Sequence, residues 1–334
     1  MAGRINILNL FVLLFTFFCF QPGVLAKVVE HDKNVPRYSI KWCASLSGES
    51  DLKTSQTFTS KIVNLIFGSA EKKLIKPVTV VSCDSNILRI MDQGWQSTLK
   101  VNQTEAIFKP GPSFPSLIDG CIDKNSNFLF TDSKLNQVFI QTKVNDKPAV
   151  LNESLELNRP TGIAYLKSDG TIWVVETAAH RISVLDEKGR KIKTFGGRGT
   201  TEGLFNYPTS IWIDNNNQVY VLDAMNFRVQ IFDAEGKFLS AFGKPGDSSG
   251  YFGFPKSIAT DSHGHIYVSD AMFHTVQIFD RDGNFLDYFG YKGRAAGEFW
   301  MPSGIFIDVN DKIYVADTYN ARIQMFQLIE NEND

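Results

Sequence analysis

The residues in this 334-residue chain that could do chemistry are first its five histidines: His31, His180, His263, His265 and His274. Imidazole is the commonest metal ligand and changes charge near neutral pH. A catalytic zinc needs three convergent protein ligands and an open position, and the spacing here assembles at most two. His180 and His274 each follow an acidic residue, Glu176 and Asp270, by four positions. The acidic residues keep a stricter interval: Glu176, Asp223, Asp270 and Asp317 stand 47 apart. A carboxylate that recurs at a fixed period belongs to architecture before catalysis. At a strand end it accepts loop N–H bonds, or pairs with Arg228 and Arg322, five residues after Asp223 and Asp317. No nucleophile–base pair is legible among the serines and aspartates.

The elements that must position these residues are short strands. Tyr207 to Gly243 holds four: Ile211–Ile213, Val219–Leu222, Arg228–Phe232 and Phe238–Phe242. Clusters rich in Asp, Asn and Gly separate them, as in an antiparallel meander. The runs are almost continuously apolar, which predicts burial on both faces and therefore neighbours. The pattern returns at Arg159–Gly196, Phe254–Gly290 and Met301–Leu328. Four strands at a fixed period of this length mark the blade of a β-propeller. Two degenerate units precede them: Pro77–Val101 carries Asp92, and Leu117–Ile140 carries Asp123 and Asp132 nine apart, as Asp214 and Asp223 are. The reading is an all-β, six-bladed β-propeller of four-stranded antiparallel blades. Phe205, Phe252 and Phe299 share one register and are expected to plug the gaps between blades. The glycine-rich loops before them precede no helix, so they are not phosphate cradles.

The ends of the chain set closure and address. The last unit stops at Leu328 after its third strand, whereas Ser60–Gly68 (SKIVNLIFG) looks like a fourth strand without its first three. An N-terminal strand is expected to complete the last blade, removing an open sheet edge. Residues 27–56 are read as an extension lying against a propeller that spans 57–329, and 330–334 as a tail. Residues 1–26 have the form of a cleaved secretory signal: Arg4, the apolar core Leu10–Phe20 and the small-residue site Val24-Leu25-Ala26. That core is short of the ~20 apolar residues a membrane span needs. The expected protein is extracytoplasmic (secreted or periplasmic), without a membrane span once the signal is removed, and monomeric. A net charge of −2 supplies no global basic field for nucleic acid. Cys43, Cys83 and Cys121 would then be either buried small hydrophobes or one disulfide with a thiol left over. Asn102-Gln103-Thr104 and Asn152-Glu153-Ser154 are sequons.

The units resemble NHL repeats. The resemblance rests on the openings Pro160-Thr161-Gly162-Ile163, Pro208-Thr209-Ser210-Ile211 and Pro302-Ser303-Gly304-Ile305. It rests also on Ile313-Tyr314-Val315-Ala316-Asp317, on Asn320-Ala321-Arg322-Ile323-Gln324 and on the glycine loop before each proline. It covers residues 160–328 well and 60–140 weakly, and it implies a six-bladed propeller. Such propellers serve as enzymes, RNA binders and interaction platforms, so fold alone does not name the function. Amidating lyases among them hold zinc through histidines directly after the blade-opening prolines. Here those positions are Thr161, Thr209, Lys256 and Ser303, so that zinc set is absent.

Function must then lie where the blades differ. In a meander, the loop before each first strand and the turn joining strands two and three open on one face. That face gathers Lys256, His180, Met225, Asn226, Met272, Phe273, His274, Trp300, Tyr319 and Asn320 as ligand-binding candidates. His263 and His265, in a turn between strands one and two, fall on the other face. The reading is a binding module for a protein, peptide or glycan, with no cofactor and no nucleic-acid partner. The alternative is a propeller-type lyase or hydrolase using a metal, such as Ca²⁺, in or above the central channel.

Overall fold

The structure, a computed structural model, describes residues 38–48, 73–84, 87–101, 106–107, 113–142 and 146–330. The signal-like segment 1–26, the Ser60–Gly68 run and the Asn102 sequon lie outside the described residues. The described chain forms six four-stranded antiparallel sheets. The strand that closes the ring, Tyr38–Leu46, is β1. Blade one is then β2 (Pro77–Asp84), β3 (Ile87–Asp92), β4 (Ser97–Val101) and β5 (Ala106–Ile107); blade two is β6 (Leu117–Ile122), β7 (Phe128–Asp132), β8 (Gln137–Gln141) and β9 (Ala149–Val150). Blade three is β10 (Pro160–Leu166), β11 (Thr171–Glu176), β12 (Arg181–Leu185) and β13 (Lys191–Gly196); blade four is β14 (Ser210–Ile213), β15 (Val219–Asp223), β16 (Arg228–Phe232) and β17 (Phe238–Phe242). Blade five is β18 (Pro255–Thr260), β19 (Ile266–Asp270), β20 (Thr275–Phe279) and β21 (Phe285–Phe289); blade six is β22 (Ile305–Ile307), β23 (Lys312–Asp317) and β24 (Arg322–Glu330), completed by β1. Among the described residues, no helix is long and apolar enough to cross a membrane.

The first strands of neighbouring blades touch in the cycle β2, β6, β10, β14, β18, β22 and back to β2, which makes the ring. Each step of the ring carries a polar tie as well as apolar packing. Thr79 donates to the Ile118 carbonyl (2.9 Å), Thr131 to that of Thr161 (2.6 Å) and Thr177 to that of Pro208 (2.7 Å). Trp212 donates to the Thr260 hydroxyl (2.9 Å), Ser269 to the Ser303 carbonyl, and Thr318 to the Pro77 carbonyl (2.8 Å). The last of these joins the two ends of the propeller sequence.

The second strands of blades two to five, β7, β11, β15 and β19, are buried along their whole length. The expected burial on both faces fails at the outer strands: β17 has only its terminal phenylalanines partly covered, and Leu239 is exposed. An outer strand packs toward its own blade on one side and faces solvent on the other. Phe205, Phe252 and Phe299 are fully buried between blades. Phe299 lies against Gly290, where an added Cβ would come within 2.2 Å of its ring and where φ is +83°. The glycine therefore makes room for the plug.

Closure is achieved by an N-terminal strand, but it comes from the stretch read as an extension. β1 pairs antiparallel with β24 from Tyr38↔Glu330 to Leu46↔Ile323, with a bulge between Trp42 and Ala44. Cys43 is the extra residue at that bulge, and its thiol is free and exposed. Cys121 is also unpaired, so no bridge joins these two. Trp42 Nε1 donates to Gln324 Oε1 (3.0 Å), and Tyr38 meets His263 Nδ1 (3.1 Å) in blade five. Ile40 and Leu46 are buried in the cores on either side of blade six. The sequence pattern of 38–46 is only weakly alternating, which hid it. The second sequon is likewise architecture: Asn152 is buried, accepting from Val138 N–H (2.8 Å) and donating to the Leu155 carbonyl (2.8 Å).

Removal of residues 1–48 is expected to expose the edge of β24 and uncover Ile323 and Phe326. A lower melting temperature and self-association on size exclusion check this. Ile40→Ala alone is expected to cost about 2–4 kcal/mol in a denaturant titration.

Candidate functional site

The candidate face is built on the carboxylate that ends each second strand. Asp92, Asp132, Glu176, Asp223, Asp270 and Asp317 are all fully buried. A buried carboxylate needs its lone pairs filled, and each is filled by the loops around it. Asp270 accepts from Gly253 N–H (2.8 Å) and Phe254 N–H (2.9 Å) before its blade, and from Met272 N–H (3.0 Å) in its own turn. Asp223 takes Asn206 N–H, Arg228, Asn226 and Gln230; Asp317 takes Trp300 N–H, Arg322, Asn320 and Gln324. The periodic acids are structural, as their spacing predicts. Asn226 and Asn320, both candidates for ligand binding, are absorbed in the same networks and also hold the Gly199 and Gly293 carbonyls (2.9 and 2.7 Å).

Four residues after each acid, the turn closes with a residue in the left-handed region: Gln96, Asn136, His180, Phe227, His274 and Ala321. Among the described residues, three of these accept a backbone N–H from the segment that opens the next blade. Asn136 Oδ1 accepts from Arg159 N–H (2.9 Å), His180 Nδ1 from Tyr207 N–H (3.1 Å) and His274 Nδ1 from Met301 N–H (3.0 Å). Arg159, Tyr207 and Met301 precede blade-opening prolines and all have positive φ. His180 and His274 are thus latches between blades. His180 is buried, with its ring 4.4 Å from that of Tyr207, rather than a solvated loop residue. Phe227 cannot accept a hydrogen bond, and the residue it would latch, Phe254, is free of the strained conformation and exposed.

The residues after the prolines diverge at the same place. In blades three and six, Thr161 meets Thr177 (2.7 Å) and Ser303 meets Thr318 (2.6 Å). Blades four and five carry Ala224 and Ala271 where those threonines stand. The Thr209 hydroxyl accordingly has no hydrogen-bond partner, and Lys256 replaces the hydroxyl altogether. Lys256 Nζ lies 3.5 Å from the centroid of the Phe254 ring, and burial holds its pKa below the ordinary lysine value.

Around this break the turns project apolar side chains. Met225, Met272 and Tyr319, each two residues after its acid, are 49%, 61% and 57% exposed. Tyr207 and Phe254 are exposed beside them. Phe273 and Trp300 are only partly exposed: Phe273 backs against Gly253, while Trp300 lies 5.9 Å from Tyr319 and under Arg294. The equivalent turn positions in blades one to three are Gly94, Lys134 and Ala178. The result is an apolar crescent on one side of one face, over blades four to six.

The opposite face holds a feature that the sequence reading passed over. A cavity of about 650 Å³ occupies the centre of the ring, lined by the first strands and the turns between strands one and two. None of the sequence-derived candidates lines it. His263 and His265 lie at that face but are engaged: His265 Nδ1 meets Asp261 (2.7 Å), and His263 meets Tyr38. The turn carboxylates Asp123, Asp214, Asp261 and Asp308 each accept N–H bonds from residues two and four positions on. Inside the channel stands Asp119, whose carboxyl burial pushes up to about 7. Burial and the nearby Asp119 and Asp123 also push the Cys121 thiol up, keeping it neutral. The signal that could have revealed Asp119 is a charged residue inside the apolar strand Leu117–Ile122. Among the described residues, no group of three or more His, Cys, Asp or Glu is arranged to hold a metal ion.

Residues 150–248 and 252–332 match the DUF5128 family, described as a 6-bladed beta-propeller. The chain belongs to this family. No protein of curated function matches its sequence. Among solved structures, an auxiliary nutrient binding protein from Bacteroides ovatus aligns over 92% of this chain and 76% of its own, at 14% identity and a TM-score of 0.64. A gluconolactonase from Xanthomonas campestris aligns over 92% and 98%, at 13% identity and a TM-score of 0.63. A virginiamycin B lyase from Staphylococcus aureus aligns over 88% and 100%, at 15% identity and a TM-score of 0.58. At these identities the likeness is one of fold.

The latches generate a pH prediction. Burial and Lys292 lower the His274 pKa, against the opposing pull of Asp270 and Asp317. The unfolded chain therefore takes up this proton first, and the latch's contribution, complete above about pH 6.5, is lost as pH falls. His274→Asn, which tolerates positive φ and accepts without titrating as Asn136 does, is expected to flatten that part of the melting-temperature profile between pH 7.5 and 5.

Proposed function

We propose that this propeller is an extracytoplasmic binding module that engages a protein or peptide through the crescent over blades four to six. The observation that carries the reading is the exposure of Met225, Met272 and Tyr319 at one repeated turn position. Turns normally present polar groups to water, and apolar side chains clustered on a surface favour a partner that covers them. Methionine adapts its shape to such a partner, and aromatic rings supply contact area. Lys256 adds a charge at the same place. Its ammonium is already partly stripped of water over Phe254 and feels the Asp270 carboxylate only at a distance, so an acidic side chain or a C-terminal carboxylate of the partner would find it poorly hydrated. The fold supplies rigidity: each projecting turn is fixed at its base by a buried carboxylate, so little ordering entropy is lost on binding.

The NHL resemblance is consistent with this use, since such propellers commonly act as interaction platforms. The extracytoplasmic address rests on the form of residues 1–26. The structural neighbours include both an auxiliary nutrient binding protein and a gluconolactonase, so the ring is compatible with binding and with turnover, and the binding reading rests on the crescent.

Met272→Ser combined with Tyr319→Ser is expected to leave the melting temperature within a few degrees of the parent. It should weaken the partner by about 1–4 kcal/mol. The measurement is a pull-down from the native extracytoplasmic fraction, followed by titration of the captured partner. A partner held equally well by the double variant would place binding elsewhere on the ring.

A further inference from the structure

Counted from the residue that opens each blade (Pro77, Leu117, Pro160, Pro208, Pro255 and Pro302), equivalent positions form layers around the channel, with a register shift at the start of the first strand in blades one, two, three and five. Five blades put a small residue in one layer: Thr79, Gly162, Ser210, Ser257 and Gly304. The sixth puts Asp119 there. The next layer contains Trp212 and Phe306, from blades four and six. Their rings meet edge to face at 5.6 Å, and Trp212 is oriented by its bond to Thr260. A carboxylate and two aromatic rings thus share the wall of a single cavity, whose volume of about 650 Å³ suits a small organic molecule.

Asp119 is poorly compensated where it stands. Its oxygens accept from Gly120 N–H (2.9 Å) and, at longer range, Ile163 N–H (3.4 Å), and the Thr79 hydroxyl lies beside it. Among the described residues, no cation acts on it. Two lysines line the channel mouth: Lys124 is committed to Glu187 (2.6 Å), and Lys167 is exposed to solvent and does not act on Asp119. The turn acids make the mouth negative without reaching this layer. A carboxylate half-buried in a narrow cavity with only neutral donors favours a ligand that brings positive charge, and an aromatic wall favours one whose charge is spread over apolar surface.

We propose that the central channel is a binding site for a small organic cation, an alkylammonium, whose charge is held by Asp119 and whose apolar body lies against Trp212 and Phe306. This site is separate from the crescent and opens on the other face, so either can hold while the other fails.

Binding should require the ionised carboxylate. The raised pKa of Asp119 makes affinity fall as pH drops below neutral, with a proton released on binding in that range. The other titratable groups of the cavity wall stand on β6, β10 and the turns of the mouth, where Lys167 is exposed and Asp311 is bonded to Ser262. The Cys121 thiol on β6 is held neutral, as is the Tyr165 phenol on β10, pushed up to about 12 by burial and Glu187. Asp123 follows on the turn after β6. β2 presents Thr79 and Ser82, and the mouth acids Asp214, Asp261 and Asp308 are bonded within their turns. His263 and His265 lie at the mouth, engaged with Tyr38 and Asp261, and are untouched by replacement of Asp119.

The test is titration of the full chain with choline and with n-butylamine, followed by intrinsic tryptophan fluorescence, with Trp212→Leu identifying that ring's share of the signal, and by calorimetry. The neutral isostere of choline, 3,3-dimethylbutan-1-ol, serves as control. At least one cation is expected to bind at pH 8 and the alcohol at least tenfold more weakly; the cation's affinity should drop at least tenfold by pH 5.5. Asp119→Ser restores a residue type that other blades carry in this layer, so the fold should persist, as a melt would verify. It is expected to cost at least tenfold in cation affinity and to abolish most of the pH dependence. Trp212→Leu should weaken the cation without altering that dependence. Binding of neither cation, equal binding of the alcohol, or unchanged affinity in Asp119→Ser would each overturn the proposal.

Discussion

The constraint on which this structure depends is the electrostatic cost of a carboxylate removed from water. Each blade buries one at the end of its second strand, and a buried anion is tolerable only if hydrogen-bond donors surround it. The donors come from the loop that enters the blade and from the turn that leaves its second strand. Satisfying the charge therefore fixes both segments at once. That explains how loops of a small meander become as definite as its strands. It also explains why the acid, rather than any core residue, keeps the strictest spacing in the sequence.

Once the acid holds the turn, the residue four positions on is forced into a left-handed conformation, and its side chain is delivered to the next blade. Asn136, His180 and His274 use that position to take up a backbone N–H across the blade boundary. Phe227 and Ala321 have no side-chain acceptor and do not. In blades four and five a missing latch, the solitary Thr209 hydroxyl and the lysine at position 256 occur together. A repeat protein acquires function by breaking its own pattern locally, where the strain is carried by intact neighbours. Here the break coincides with the exposed methionines and tyrosines.

The two mouths of the ring differ in physical character for a reason of topology. One receives the entering loops and the turns anchored by buried acids, which leaves their tips to apolar groups. The other receives the turns between strands one and two, whose aspartates fold back on their own backbone and make that rim polar and negative. The channel between them is lined by strand residues selected mainly for close packing of blade on blade. A carboxyl group and two aromatic rings in that lining are departures from what packing alone asks.

The sequence by itself determined the blades. Period, strand runs, turn residues and the recurring acid identify six four-stranded sheets, because strand patterning and turn chemistry are local and repeat in phase. It also determined the architectural role of the acids and the place of Phe205, Phe252 and Phe299 between blades. Tertiary structure alone decided which N-terminal segment closes the ring. β1 is a lone strand without a repeat to phase it, and its register is set by β24. Tertiary structure likewise turned His180, Asn226, His274 and Asn320 from candidate ligand contacts into struts. Whether a polar side chain is free depends on partners about 27 residues away or more, which no local pattern reveals. Asp119 is the converse case. Its identity is plain in the sequence, but its meaning comes from a ring in which five other strands bring small residues to its level. Desolvation is a property of that assembled ring and not of any one strand.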